Sequence, residues 1–102
     1  MIHVNAKYIK GPHTVVRCKY HSTGYNCLRL EPEGDPYDYV IVSSCIDHPL
    51  KGDEVAIKNY SENEGILDEL IKAGFVSEPV RYFQLAYAQF PICNILKVDR
   101  SE

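Results

Sequence analysis

The chain has no tryptophan and a single methionine among its 102 residues. No apolar stretch comes near the roughly 20 residues that a membrane-crossing helix needs. The opening, Met1 to Lys7, alternates apolar with polar residues where a secretion signal would carry an apolar block. That pattern predicts a cytoplasmic chain with no membrane association. No P-loop, GxGxxG or HExxH pattern occurs, so the common local signatures of nucleotide binding and metalloprotease chemistry are missing. Two further deficits are regional. Residues 1–30 hold five bases (Lys7, Lys10, Arg17, Lys19, Arg29) and no acid, whereas residues 31–70 hold eleven acids and only two bases, Lys51 and Lys58. The overall charge of −3 therefore hides a dipolar chain, and such asymmetry bears on partners and encounter rates rather than on fold.

What is present suits one small domain spanning residues 1–102, a length large enough to bury a core without a disulfide or metal staple. Eight tyrosines lean toward β structure. Four cysteines (Cys18, Cys27, Cys45, Cys93) allow three disulfide pairings, but without an export signal free thiols are the expectation.

Ile2, Val4, Ala6 and Tyr8 alternate with polar neighbours and predict a half-buried strand that Gly11-Pro12 breaks. Thr14–Tyr20 reads as a second strand, with Val16, Cys18 and Tyr20 on one face and Val15, Arg17 and Lys19 on the other. The turn residues from Glu31 to Pro36 predict a hairpin between Asn26–Leu30 and Tyr37–Ser44. In its second arm Tyr39-Val40-Ile41-Val42 is continuous enough for a central strand buried on both sides. A short strand follows at Glu54–Tyr60.

A helix is predicted over 62–73. Ser61 with Glu64 makes a capping box, worth about 1 kcal/mol. Ile66, Leu67, Leu70 and Ile71 share a face, and Gly74 with Phe75 suits a Schellman ending. Val80–Gln89 reads as a strand and Ile92–Val98 as another. Phe90-Pro91 interrupts them, because proline cannot donate to a ladder. Arg100-Ser101-Glu102 is expected to fray. The fold class is α+β: a mostly antiparallel sheet of five to seven strands, with one amphipathic helix packed on a face.

Cys18-x-x-His21 and Cys45-x-x-His48 repeat a spacing that could close a structural zinc site. Neither pair sits in a glycine-turned knuckle, and Cys18 fits the inward face of its strand. Core or strand-end cysteines, turn histidines and no metal are therefore expected. Lys7, Arg17 and Lys19, with Tyr20, His21 and Tyr25, could hold a phosphate beside stacking rings, as a nucleotide-like ligand would require. A negative overall charge argues against nucleic acid. Asp53, Glu54, Glu62, Glu64, Asp68 and Glu69 meet only Lys58 over seventeen residues, and Glu64 with Asp68 is a like-charge i, i+4 pair. An acidic set of this kind could face a basic partner protein.

Two stretches, Gly34-Asp35-Pro36-Tyr37 leading into Tyr39-Val40-Ile41-Val42 and Lys58 to Leu67, resemble segments of short uncharacterised proteins of bacteria, phages and mobile elements. Ala73-Gly74-Phe75-Val76 extends the resemblance. It implies an accessory protein that binds host or defence machinery, and it carries over no catalytic residue. The sequence thus predicts a non-enzymatic, cofactor-free binding protein acting by protein–protein contact through exposed tyrosines and the acidic segment. Inhibition of a bacterial defence system such as a CRISPR effector is one such role, and a homodimer is compatible with it. The alternative is a small-ligand binder that sequesters a nucleotide-like signal.

Overall fold

The alternation at the start of the chain becomes strand β1 (Ile2–Asn5), with Ile2 and Val4 buried and His3 and Asn5 exposed. In the computed structural model, which describes residues 1–102, β1 runs antiparallel to β2 (Lys10–Lys19). Strand β3 (Asn26–Pro32) takes the other edge of β2, with Val15 opposite Leu30 and Cys18 opposite Cys27. A two-residue strand, β4 (Val40–Ile41), pairs with β3. The second sheet begins with β5 (Glu54–Ala56), and a 3-10 turn (Ser61–Asn63) and helix α1 (Ile66–Lys72) follow it. Strands β6 (Arg81–Leu85) and β7 (Ala88–Asn94) complete that sheet in the order β5-β7-β6, antiparallel throughout. The last strand, β8 (Arg100–Ser101), lies parallel to β2 beside Val16 and Arg17. A single bridge between Ser43 and Ile57 joins the two sheets.

One buried cluster draws on both sheets and the helix, with Val15, Leu28 and Leu30 meeting Val55, Ile66, Leu70 and Cys93. A shared core of this kind makes one α+β domain. Six strands have three residues or more, and the two-residue β4 and β8 bring the total to eight. A smaller cluster of Ile46, Ala56, Phe90 and Ile92 lies on the other face of the second sheet.

Local chemistry explains where the elements depart from expectation. The helical segment comes in two pieces rather than running unbroken over 62–73. Gly65 sits between them at φ 91°, a left-handed geometry that glycine takes at little cost. The capping box does not form, since neither Ser61 nor Glu64 caps α1 through its side chain. Asn59 does that work instead: its Oδ1 accepts the Leu67 N–H at 2.8 Å. The C-terminal end forms as predicted, with Phe75 N–H bonded to the Leu70 carbonyl at 3.0 Å and Gly74 N–H to that of Ile71 at 3.0 Å.

Tyr39–Val42 is not a central strand. Tyr39 and Ile41 are exposed and β4 is a sheet edge. Arg100–Glu102 does not fray, because β8 pairs with β2 and Glu102 N–H bonds the Arg17 carbonyl at 2.8 Å. Val80–Gln89 is a hairpin turning at Ala86-Tyr87, and β7 runs straight through Pro91. Cys18 lies on the face of β2 opposite the Val15 core and is half-buried there.

Asn59→Ala should destabilise the fold by about 1 kcal/mol, as loss of a helix cap does. Ser61→Ala should stay within about 0.5 kcal/mol of the parent, as for a surface change. Urea titration of the two variants measures the difference.

Candidate functional site

Five of the six acids in the 53–69 segment already have a cationic partner. Asp53 pairs with Arg17 at 3.0 Å, Glu62 with Lys58 at 2.6 Å, Glu64 with Lys7 at 3.3 Å and Glu69 with Lys72 at 3.4 Å. Glu54 is buried and gripped by both ends of the Arg81 guanidinium, one contact being 3.0 Å. Asp68 alone makes no ion pair. Glu69 also accepts the Asn5 N–H at 2.7 Å, which ties the helix to the end of β1. The acidic middle and the basic opening thus neutralise each other locally, at Glu64–Lys7 and Asp53–Arg17.

The basic set does not converge. Lys7 lies in the turn between β1 and β2, and Lys19 ends β2. At about 3.3 Å per residue the ten residues of β2 separate the two by roughly 30 Å. Arg17 is held by Asp53 and by Asn26 Oδ1 at 3.1 Å, and the Tyr20 hydroxyl meets Ser43 Oγ at 2.8 Å. Lys19 and Tyr25 share a cavity of about 210 Å³, below the roughly 300 Å³ at which small-molecule sites begin. His21 is exposed in the turn after β2.

The cysteine and histidine pairs point to separate tasks. His48 stacks on Phe83 with ring centroids 4.7 Å apart, Cys18 Sγ–H donates to the Cys27 carbonyl at 3.5 Å, and Cys45 meets Ser22 Oγ at 3.4 Å. No three His, Cys, Asp or Glu residues gather as metal ligands would. Burial pushes the Cys18 and Cys93 thiols up to about 12, far from the range of a reactive thiolate.

The largest cavity lies elsewhere. A groove of about 740 Å³ is bounded by Tyr60 and Leu67 on one side and by Tyr82, Tyr87 and Pro91 on the other. Strand alternation builds it. Tyr82 and Gln84 point to one face of the β6–β7 hairpin, while Arg81 and Phe83 point to the other, where His48 and Phe90 receive Phe83. Asn59, by capping α1, holds Leu67 at the groove wall. Tyr60 is braced edge-on against Phe90 at 6.0 Å. Of eleven exposed large apolar side chains, Tyr60, Val80, Tyr82, Leu85 and Tyr87 cluster on this hairpin and groove. Single exposed apolar residues are ordinary, but a contiguous patch marks a contact surface.

Alternation and motif spacing pass over this site. Its one sequence signal is an absence: the fifteen residues Tyr82–Leu96 carry no charge at all. Comparison with protein-family models, with curated proteins and with solved structures finds no match, so the functional reading rests on geometry.

Two buried carboxylates contribute to the acid stability. Hydrogen bonds from Arg100 and then Arg29 hold Glu31 below the usual 4.5 against the opposing effect of burial, and Arg81 does the same for Glu54. A carboxylate whose folded-state pKa is depressed stabilises the fold above its unfolded value, and that stability is lost as pH falls through the folded value. Stability should therefore hold between about pH 7 and pH 5 and decline below the unfolded value of 4.5. Glu54→Gln should start from a lower plateau and fall less steeply, as read by thermal melts from about pH 7 to below pH 4.5.

Proposed function

We propose that the protein is a non-enzymatic binding module acting by protein–protein contact, and that the contact surface is the tyrosine-lined groove between the β6–β7 hairpin and α1. The observation that carries this reading is the convergence of Tyr60, Tyr82 and Tyr87 on one uncharged surface. Tyrosine brings a large, stiff, amphipathic ring to an interface, and charge is depleted at interface cores. The occupant is an apolar segment of another protein: Leu67 and Pro91 offer a dry floor, while Asn59 and Gln89 can fix its backbone.

The acidic segment serves the fold more than the partner in this reading, because its charges are mostly spent on Lys7, Arg17, Lys58, Lys72 and Arg81. The resemblance to small proteins of phages and mobile elements suggests the setting. The target would be a subunit of a bacterial defence complex such as a CRISPR effector.

Co-expression against a panel of defence systems identifies the target. A Tyr82→Ala/Tyr87→Ala double variant should then bind it at least about 30-fold more weakly, the loss expected for central aromatic anchors. A Glu62→Gln/Glu64→Gln/Glu69→Gln variant should keep its affinity within about threefold, as rim charges do. The opposite ranking would move the contact surface back to the acidic segment.

A further inference from the structure

Strand β6 is the outer strand of its sheet, and the register shows which backbone groups it leaves unpaired. Ile57 N–H bonds the Pro91 carbonyl and Ile95 N–H bonds that of Asp53, each pair on the β5 side of β7. Odd-numbered residues of β7 therefore turn their polar groups toward β5, and Phe90 and Ile92 turn theirs toward β6. The partners of Phe90 and Ile92 are Phe83 and Arg81. By alternation, Tyr82 and Gln84 direct N–H and C=O away from the sheet. The two-residue turn agrees, since Leu85 and Ala88 close the hairpin in the same phase.

Free edges are usually guarded by lysine, proline or an inward-pointing charge. β6 has none of these on its outer positions. Its one charge, Arg81, is held by Glu54 and by the Pro49 carbonyl at 3.2 Å. Val80 N–H bonds the Ile92 carbonyl at 2.8 Å, alongside the Arg81–Ile92 pairing. That makes a bulge and limits the usable edge to Tyr82–Leu85.

We infer that this edge pairs with the same edge of a second copy of the chain. A two-fold axis beside Phe83 sets Tyr82 of each copy opposite Gln84 of the other, and the four outward-directed groups form four reciprocal hydrogen bonds. Two features favour a second copy over a foreign strand. The outward pair is symmetric about Phe83, as an isologous contact requires. The strip from Tyr82 onward has no charge, so like meets like without repulsion even though each copy carries −3. Val80, Tyr82, Leu85 and Tyr87 are each at least half exposed, and covering them would bury about 1,000 Å² in total, the lower bound for a specific interface. A contact this small makes a reversible dimer. Because a two-fold axis in an antiparallel sheet stands perpendicular to it, both tyrosine grooves lie on the same side, and a seam that covers Tyr82 and Tyr87 competes with a partner for them. The dimer stands on the strand edge whether or not the proposed function of the groove holds.

Sedimentation of the full chain from about 1 to about 300 μM, a span bracketing micromolar affinity, tests this. The expected result is a monomer–dimer equilibrium with no larger species. Tyr82 and Gln84 amides should lose hydrogen-exchange rate by tenfold or more as concentration rises, while the Phe83 amide stays protected throughout. Gln84→Pro removes an outward N–H and no bond to β7, and Tyr82→Lys adds an edge guard. Each should raise the dissociation constant at least tenfold with unchanged circular dichroism. A monomer throughout the range, an open-ended assembly, or a dimer in which both variants still pair normally would overturn the proposal. So would Tyr82 and Gln84 amides whose exchange is indifferent to concentration.

Discussion

Strand β2 must satisfy polar groups along both of its edges, and only one edge has a single continuous neighbour. β3 runs beside it from His13 to Lys19, while the other edge is divided between β1 near the start and β8 near the end. Val15 falls at the join and is completely buried, where an unpaired N–H would be costly. Asp99 closes the gap: its Oδ2 accepts the Val15 N–H at 2.8 Å, and its own N–H donates to the Val15 carbonyl at 2.9 Å. Burial works against its charge, but these bonds and the Met1 amine at 2.6 Å still hold its carboxyl below the usual value. The junction brings Arg100 to Glu31 and Glu102 to Arg29, at 2.7 and 2.5 Å. Those contacts lock the face of β2 and β3 that points away from the main core.

With the first sheet secured in this way, the second can be specialised. Its strand β5 and the residue after it are bound to the core through Val55 and Ile57, and the Asn26 amide donates to the Glu54 carbonyl at 2.9 Å. β6 is held only by β7 and by contacts on its Phe83 face. Stability thus declines outward across this sheet, and the exposed tyrosines sit at the low end. That gradient is common where binding surfaces are mounted on rigid scaffolds.

The parts of the fold legible in the sequence are those with short-range causes. Gly74 and Phe75 announce the helix end because both Schellman bonds span five residues or fewer. The first two strands show as alternation, since β1 and β2 each present one face to the core. Ser61 misleads because its spacing to Glu64 fits a capping box while Gly65, at a left-handed angle, restarts the helix beyond it. Ala86 holds φ 52° in a turn with no glycine or asparagine to mark it. Pro91 reads as a breaker, yet its missing N–H faces the β5 side of β7 at Ile57, one residue beyond the end of β5. β8 depends wholly on a partner more than eighty residues away. The candidate site was half-visible: tyrosine enrichment pointed to interfaces, but the charge sorting drew attention to residues that the fold pairs with one another.

The side chains that form the groove rim and the outer strand are almost all outside the core. Tyr82, Gln84, Leu85 and Tyr87 contribute nothing to either buried cluster, and exposed substitutions of this kind usually change stability by less than about 0.5 kcal/mol. The scaffold and the recognition head can therefore evolve on separate clocks. A lineage could rewrite what this hairpin grips, one residue at a time, without renegotiating how the chain folds.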